Sequence, residues 1–147
     1  MELKTVLVAA IVTVILAPGI AVAQKGRISI WDGVYTEPQA ERGRVLYRQS
    51  CSGCHGADLS GNFETPPLVG RFMPYWSGST LDALFDYVST SMPMHNPGSL
   101  SPSANTDIVA FMLKSNDLPS GSRELSTGNL KAINFDSAKP VSKHARK

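Results

Sequence analysis

The stretch Cys51-Ser52-Gly53-Cys54-His55 constrains this chain more than any other part of it. C-x-x-C-H is the attachment signature of a c-type haem. Two thiols add across the two haem vinyl groups, and the adjoining imidazole is delivered to the iron. The chain has 2 cysteines in 147 residues, so one haem c held through Cys51 and Cys54 consumes every thiol. Two other chemistries use C-x-x-C. A zinc centre needs four ligands, and His95 and His144 form no close pair to complete it. A redox dithiol belongs in a βαβ setting, and no such alternation is present. A chain built on this motif must therefore wrap helices and loops round a flat apolar disc. Burying that disc helps a small domain build a core.

The two ends read differently from the middle. Lys4 precedes the apolar run Thr5–Ala17, Pro18-Gly19 breaks it, and Ala21-Val22-Ala23 is an A-x-A cleavage site. Residues 1–23 thus have the layout of a secretory signal peptide. The expectation is a periplasmic protein with no stable membrane insertion after cleavage. The alternative is a chain anchored by an uncleaved N-terminal segment, although the run is short of the roughly 20 residues a span needs. Residues 24–33 read as an N-terminal extension, 34–118 as the domain, and 119–147 as a C-terminal extension ending in a partly disordered basic tail. Lys131, Lys139, Lys143, Arg146 and Lys147 face only Asp136 there, which leaves residues 24–130 slightly acidic. No basic stripe with interleaved aromatics occurs, which excludes a nucleic-acid binder.

Three helices are predicted. The first spans Glu37 to Gln49, with Thr36 as N-cap, Gln39 completing a capping box and Pro38 tolerated in the first turn. Gly43 and Tyr47 share one face of it. A mid-helix glycine costs about 1 kcal/mol against alanine, so Gly43 marks a close approach by another element, the last helix. The second helix covers Leu81–Ser89 with the stripe Leu81, Leu84, Phe85 and Val88. The third starts at Ser101 with Pro102 in first position and ends near Lys114. It is apolar on most sides. Between them lie loops rich in Gly, Pro, Asn and Asp at 56–67 and 92–100. Asp58 and Glu64 read as solvated loop acids. The fold class is all-α: three main helices and long loops around one covalent haem.

His55 supplies one axial bond. For the opposite face the candidates are Met73, Met92, Met94, Met112, His95 and His144. Met112 lies in a helical stripe and reads as core, and Met73 as packing. Met92, Met94 and His95 share an irregular loop that can offer a side chain without breaking a helix. In an extended segment 92 and 94 point to one side and 95 to the other, so the contest is between two thioethers. Such ligation raises a haem's potential.

These features together resemble class I cytochrome c over Val34–Leu118. The resemblance implies that Gly43 and Tyr47 pack on the last helix. It also implies that Pro66 of Pro66-Pro67-Leu68 accepts the His55 N–H, and that Met92 of Met92-Pro93 is the distal ligand. More narrowly, Leu68-Val69-Gly70, Trp76-Ser77-Gly78, Ser91-Met92-Pro93, Pro97–Ser101 and Asp107–Phe111 are similar to the small cytochromes accompanying dehydrogenases that use pyrroloquinoline quinone (PQQ). That likeness places Leu68 and Trp76 beside Pro66 around the haem and names a PQQ-dependent dehydrogenase as a redox partner. The expectation is an electron carrier and not an enzyme. It would pass single electrons from a quinoprotein dehydrogenase towards a terminal oxidase. The alternative is a haem enzyme or gas sensor with an open or His-ligated sixth position.

Overall fold

The computed structural model describes residues 27–136. The expected signal segment 1–23, with its expected cleavage site after Ala23, and most of the basic tail lie outside the described residues. Among the described residues no helix is long and apolar enough to cross a membrane.

Helix α1 is Glu37–Ser50, α2 is Ser52–His55, α3 is Phe72–Trp76, α4 is Leu81–Ser91 and α5 is Pro102–Ser115. A 3-10 turn at Leu130–Ala132 leads into strand β2, Ile133–Asn134, which pairs in parallel with β1, Ile28–Ser29. The fold is mostly helical and broadly cytochrome c-like. It departs from the expected all-α, three-helix arrangement through this small sheet and through α2 and α3. The reason is length. Two-residue strands leave no alternation to detect, and their pairing joins segments about a hundred residues apart in sequence.

The capping signals of the long helices operate at α1 and α5. Thr36 is extended, and its hydroxyl accepts the Gln39 N–H at 3.3 Å. Ser101 does the same for Ala104 at 3.2 Å. Gln39, however, does not close a capping box. Its amide turns inward, donating from Nε2 to the Leu125 carbonyl at 2.9 Å and accepting the Leu125 N–H at 2.8 Å. Buried backbone groups must be paired, and this buried pairing satisfies two of them, where the box would have satisfied one at a half-wet helix end.

Helix α1 crosses α5 at Gly43. A Cβ built on Gly43 would land on the Asp107 carbonyl, so only glycine lets the two backbones meet there. One turn on, Tyr47 stacks at a tilt on Phe111, centroids 5.3 Å apart. Its buried hydroxyl donates to the Gly56 carbonyl at 2.7 Å. Beside the crossing, Arg42 makes a two-pronged bond to Asp107 at 2.9 and 3.0 Å and a third to Glu124 at 3.0 Å.

The core reaches past the 34–118 stretch. Ile30, Leu125, Leu130, Ile133 and Phe135 are all buried in it. Phe135 stacks on Trp76 and meets Phe72 edge-on, with centroids 6.2 and 6.0 Å apart. The segment after Leu118 is therefore a structural part of the domain as far as Asp136. Its apolar residues are scattered singly between polar ones, so no periodicity marks them.

Candidate haem site

Cys51 ends α1 and opens α2 at once. The N–H groups of Cys54 and His55 both donate to the Cys51 carbonyl, at 3.2 and 3.0 Å. This single tight turn sets two thiols one helical turn apart and sends the imidazole inward. His55 is buried, Cys51 is half-buried and Cys54 exposed. Burial pushes the Cys51 thiol up to about 11, with the neighbouring Cys54 adding to the rise. A thiol so disposed is neutral at physiological pH. That is opposite to the lowered thiol of a catalytic dithiol.

His55 Nδ1 lies 3.0 Å from the Pro66 carbonyl. A carbonyl only accepts, so Nδ1 carries the proton and Nε2 keeps its lone pair free. The loop that brings Pro66 back is built on Asn62. Its side-chain oxygen accepts the N–H groups of Glu64 and Thr65 at 2.9 and 2.8 Å, and its amide donates to the Cys54 carbonyl at 3.4 Å. Gly61 sits at φ +67°, where a Cβ would run into the Thr65 carbonyl, and donates to the His55 carbonyl at 2.8 Å. Asn116, at the end of α5, donates to Leu68 O at 2.8 Å. Neither asparagine stands out in the sequence reading. Asn62 carries a signal, since an asparagine beside glycine favours turns in which its side chain bonds backbone two residues on. Asn116 carries none, because its partner lies 48 residues away.

The donor set fits a covalent haem. Two thiols and an imidazole with one free nitrogen meet in this one turn. Leu68, Val69, Met73, Trp76 and Phe85 are half-buried apolar side chains, each packed on the core without being covered by it. Of the distal candidates, Met112 is buried within α5 and Met73 is half-buried on α3. Met92 is half-buried at the end of α4, whereas Met94 is 79 % exposed and His95 is exposed. His144 lies outside the described residues.

A family model described as cytochrome c oxidase, cbb3-type, subunit III, matches residues 38–112, just over half of the chain. The chain is 33% identical over 85 residues to a thiosulfate dehydrogenase of Allochromatium vinosum, covering 52% of this chain and 32% of that protein. It is 28% identical over 78 residues to the thiosulfate dehydrogenase of Stutzerimonas stutzeri, covering 48% and 25% respectively. The chain thus spans about a third or less of the length of these relatives. The crystal structure of the sulfane dehydrogenase SoxCD from Paracoccus pantotrophus shares the fold, with a TM-score of 0.53 at 24% identity over 71% of this chain and 61% of that one.

These findings correct the functional expectation. The longer matches are to thiosulfate dehydrogenases, which are catalytic proteins, and the similarity does not support the narrower likeness to cytochromes serving PQQ-dependent enzymes. It also overturns the expectation of a chain without enzymatic activity. The physical reason is that C-x-x-C-H reports how a haem is held. It does not report whether substrate is oxidised beside that haem or elsewhere. A tight thiol turn, an imidazole locked by a backbone carbonyl and the matched 38–112 segment together place this chain in the cytochrome c oxidase, cbb3-type, subunit III family, as a small c-type haem domain.

Proposed function

We propose that the chain is the haem c domain of a periplasmic enzyme that oxidises a small reduced sulfur compound, with thiosulfate as the substrate. The observation that carries this reading is the anchored C-x-x-C-H turn in a chain 33% identical over 85 residues to a thiosulfate dehydrogenase. Haem c, when bound, supplies a one-electron acceptor. Two thiosulfate ions each giving up one electron can join through a new S–S bond, so single-electron acceptance suits the substrate. Each electron then leaves to an outside one-electron acceptor protein.

The chain's own residues divide the work. Cys51 and Cys54 tether the group. His55 would hold the metal through Nε2, with the Pro66 carbonyl accepting from Nδ1 and orienting the ring. Leu68 and Trp76, both half-buried, would help to exclude water from the bound haem, and Met92, half-buried at the end of α4, would supply a thioether donor to its metal.

Two measurements test this. Thiosulfate added without oxygen to the oxidised holoprotein should reduce it, read as growth of the sharp visible band of ferrous haem c. A protein left oxidised by thiosulfate, yet reduced by dithionite, sinks the proposal. Met92→Ala should abolish the far-red band of a thioether bound to ferric iron and lower the potential. Met94→Ala should leave both unchanged, and the reverse pattern transfers the role to Met94.

A further inference from the structure

We propose that Asn116 is a positioning residue for the His55 imidazole, acting through Leu68 and Pro66. The inference rests on the haem reading above and adds a residue remote from the motif. The Asn116 amide donates to two carbonyls, Leu68 O and Met112 O, each at 2.8 Å. Both partners are acceptors, so the amide nitrogen and not the oxygen must face them. Met112 is buried in α5, the most enclosed helix of the domain. Asn116 is therefore a clamp fixed to the core at one end and to the returning loop at the other.

The loop needs such a clamp because of its own sequence. Pro66 must keep its carbonyl 3.0 Å from His55 Nδ1. Neither Pro66 nor Pro67 has an N–H, so neither can be tied down through a backbone donor. Leu68 is the first residue after them that can, and both its backbone groups are used. Its N–H donates to the Leu59 carbonyl at 2.8 Å, and its own carbonyl takes the Asn116 bond. Proline φ is locked near −65°, so Pro66-Pro67 transmits a shift at Leu68 instead of absorbing it. The position of the Pro66 carbonyl is set from Leu68, and one of the two bonds holding Leu68 comes from Asn116.

A carbonyl accepting from Nδ1–H makes an imidazole a stronger donor. Loosening that bond favours the ferrous form. In the holoprotein, Asn116→Ala should raise the reduction potential and speed hydrogen exchange of the Leu68 amide by roughly fivefold, the equilibrium equivalent of one hydrogen bond. Asn116→Asp keeps the size but loses the donor and should behave alike, which guards against an alanine variant that fails to fold. Asn116→Gln retains the donor and should recover part of the wild-type potential. Ser115→Ala is the control: it removes a bond to Phe111 O at 2.9 Å in the same turn without touching Leu68, and should cost stability with the potential unchanged. If Asn116→Ala and Asn116→Asp keep the wild-type potential and Leu68 protection while haem stays attached, the positioning role is wrong and the haem reading stands. If the wild-type chain loses its colour to acid–acetone, the haem reading itself has failed, and this inference with it.

Discussion

Replacing Cys51 and Cys54 together with serine is expected to leave a colourless chain that is largely unfolded. Serine hydroxyls do not form the two thioethers, and free haem is then held by axial ligands alone. Half-buried apolar side chains, Leu68, Val69, Met73, Trp76 and Phe85 among them, would be left to face water. Apolar burial is worth about 25 cal/mol per Å², and a domain whose whole stability is about 5–15 kcal/mol does not survive the loss of its largest core element. Circular dichroism of the exported protein should show most helix signal gone, and thiosulfate should no longer change its spectrum. A double variant that stays folded and helical without colour would mean that the protein core suffices by itself.

The second large effect is expected at Gly43. Alanine there gains roughly 1 kcal/mol of helix propensity. Against this stands overpacking, which costs typically about 1–3 kcal/mol and occasionally more. Here the obstacle is the Asp107 backbone carbonyl on α5 and not a side chain that can turn away. The penalty should therefore sit at the upper end and win, with a net loss of roughly 2 kcal/mol. At about 4 °C or more per kcal/mol for a domain of this size, Gly43→Ala should melt some 8 °C or more below wild type. An unchanged melting temperature would show that α1 and α5 can part at no cost. Because Tyr47 and Phe111 share that interface, near-ultraviolet ellipticity should weaken as well.

How legible these features are depends on how local their causes are. The long helices are readable because Thr36, Ser101, Pro38 and Pro102 act within one turn of themselves. Gly43 is readable because a glycine amid good helix formers needs an external reason. The C-x-x-C-H turn is readable because its chemistry needs those residues at that spacing. What resists reading is non-local. Gln39 looks like a capping residue until Leu125, 86 positions on, claims both ends of its amide. The strands are two residues each, and neither exists without its partner. Asn116 looks like any helix-ending asparagine. The difference between carrier and enzyme is hidden for another reason: both present the same haem-holding turn, and the distinction lies in what approaches it.

The parallel pairing of Ile28 with Ile133 has an architectural consequence. It brings the two ends of the folded unit side by side, and the Trp31 indole donates to the Asp136 carbonyl at 3.2 Å to fasten them. A unit with adjoining ends can be spliced into a longer polypeptide as a cassette, because the host chain leaves and resumes at nearly the same point. Such a module needs no special linker length on either side.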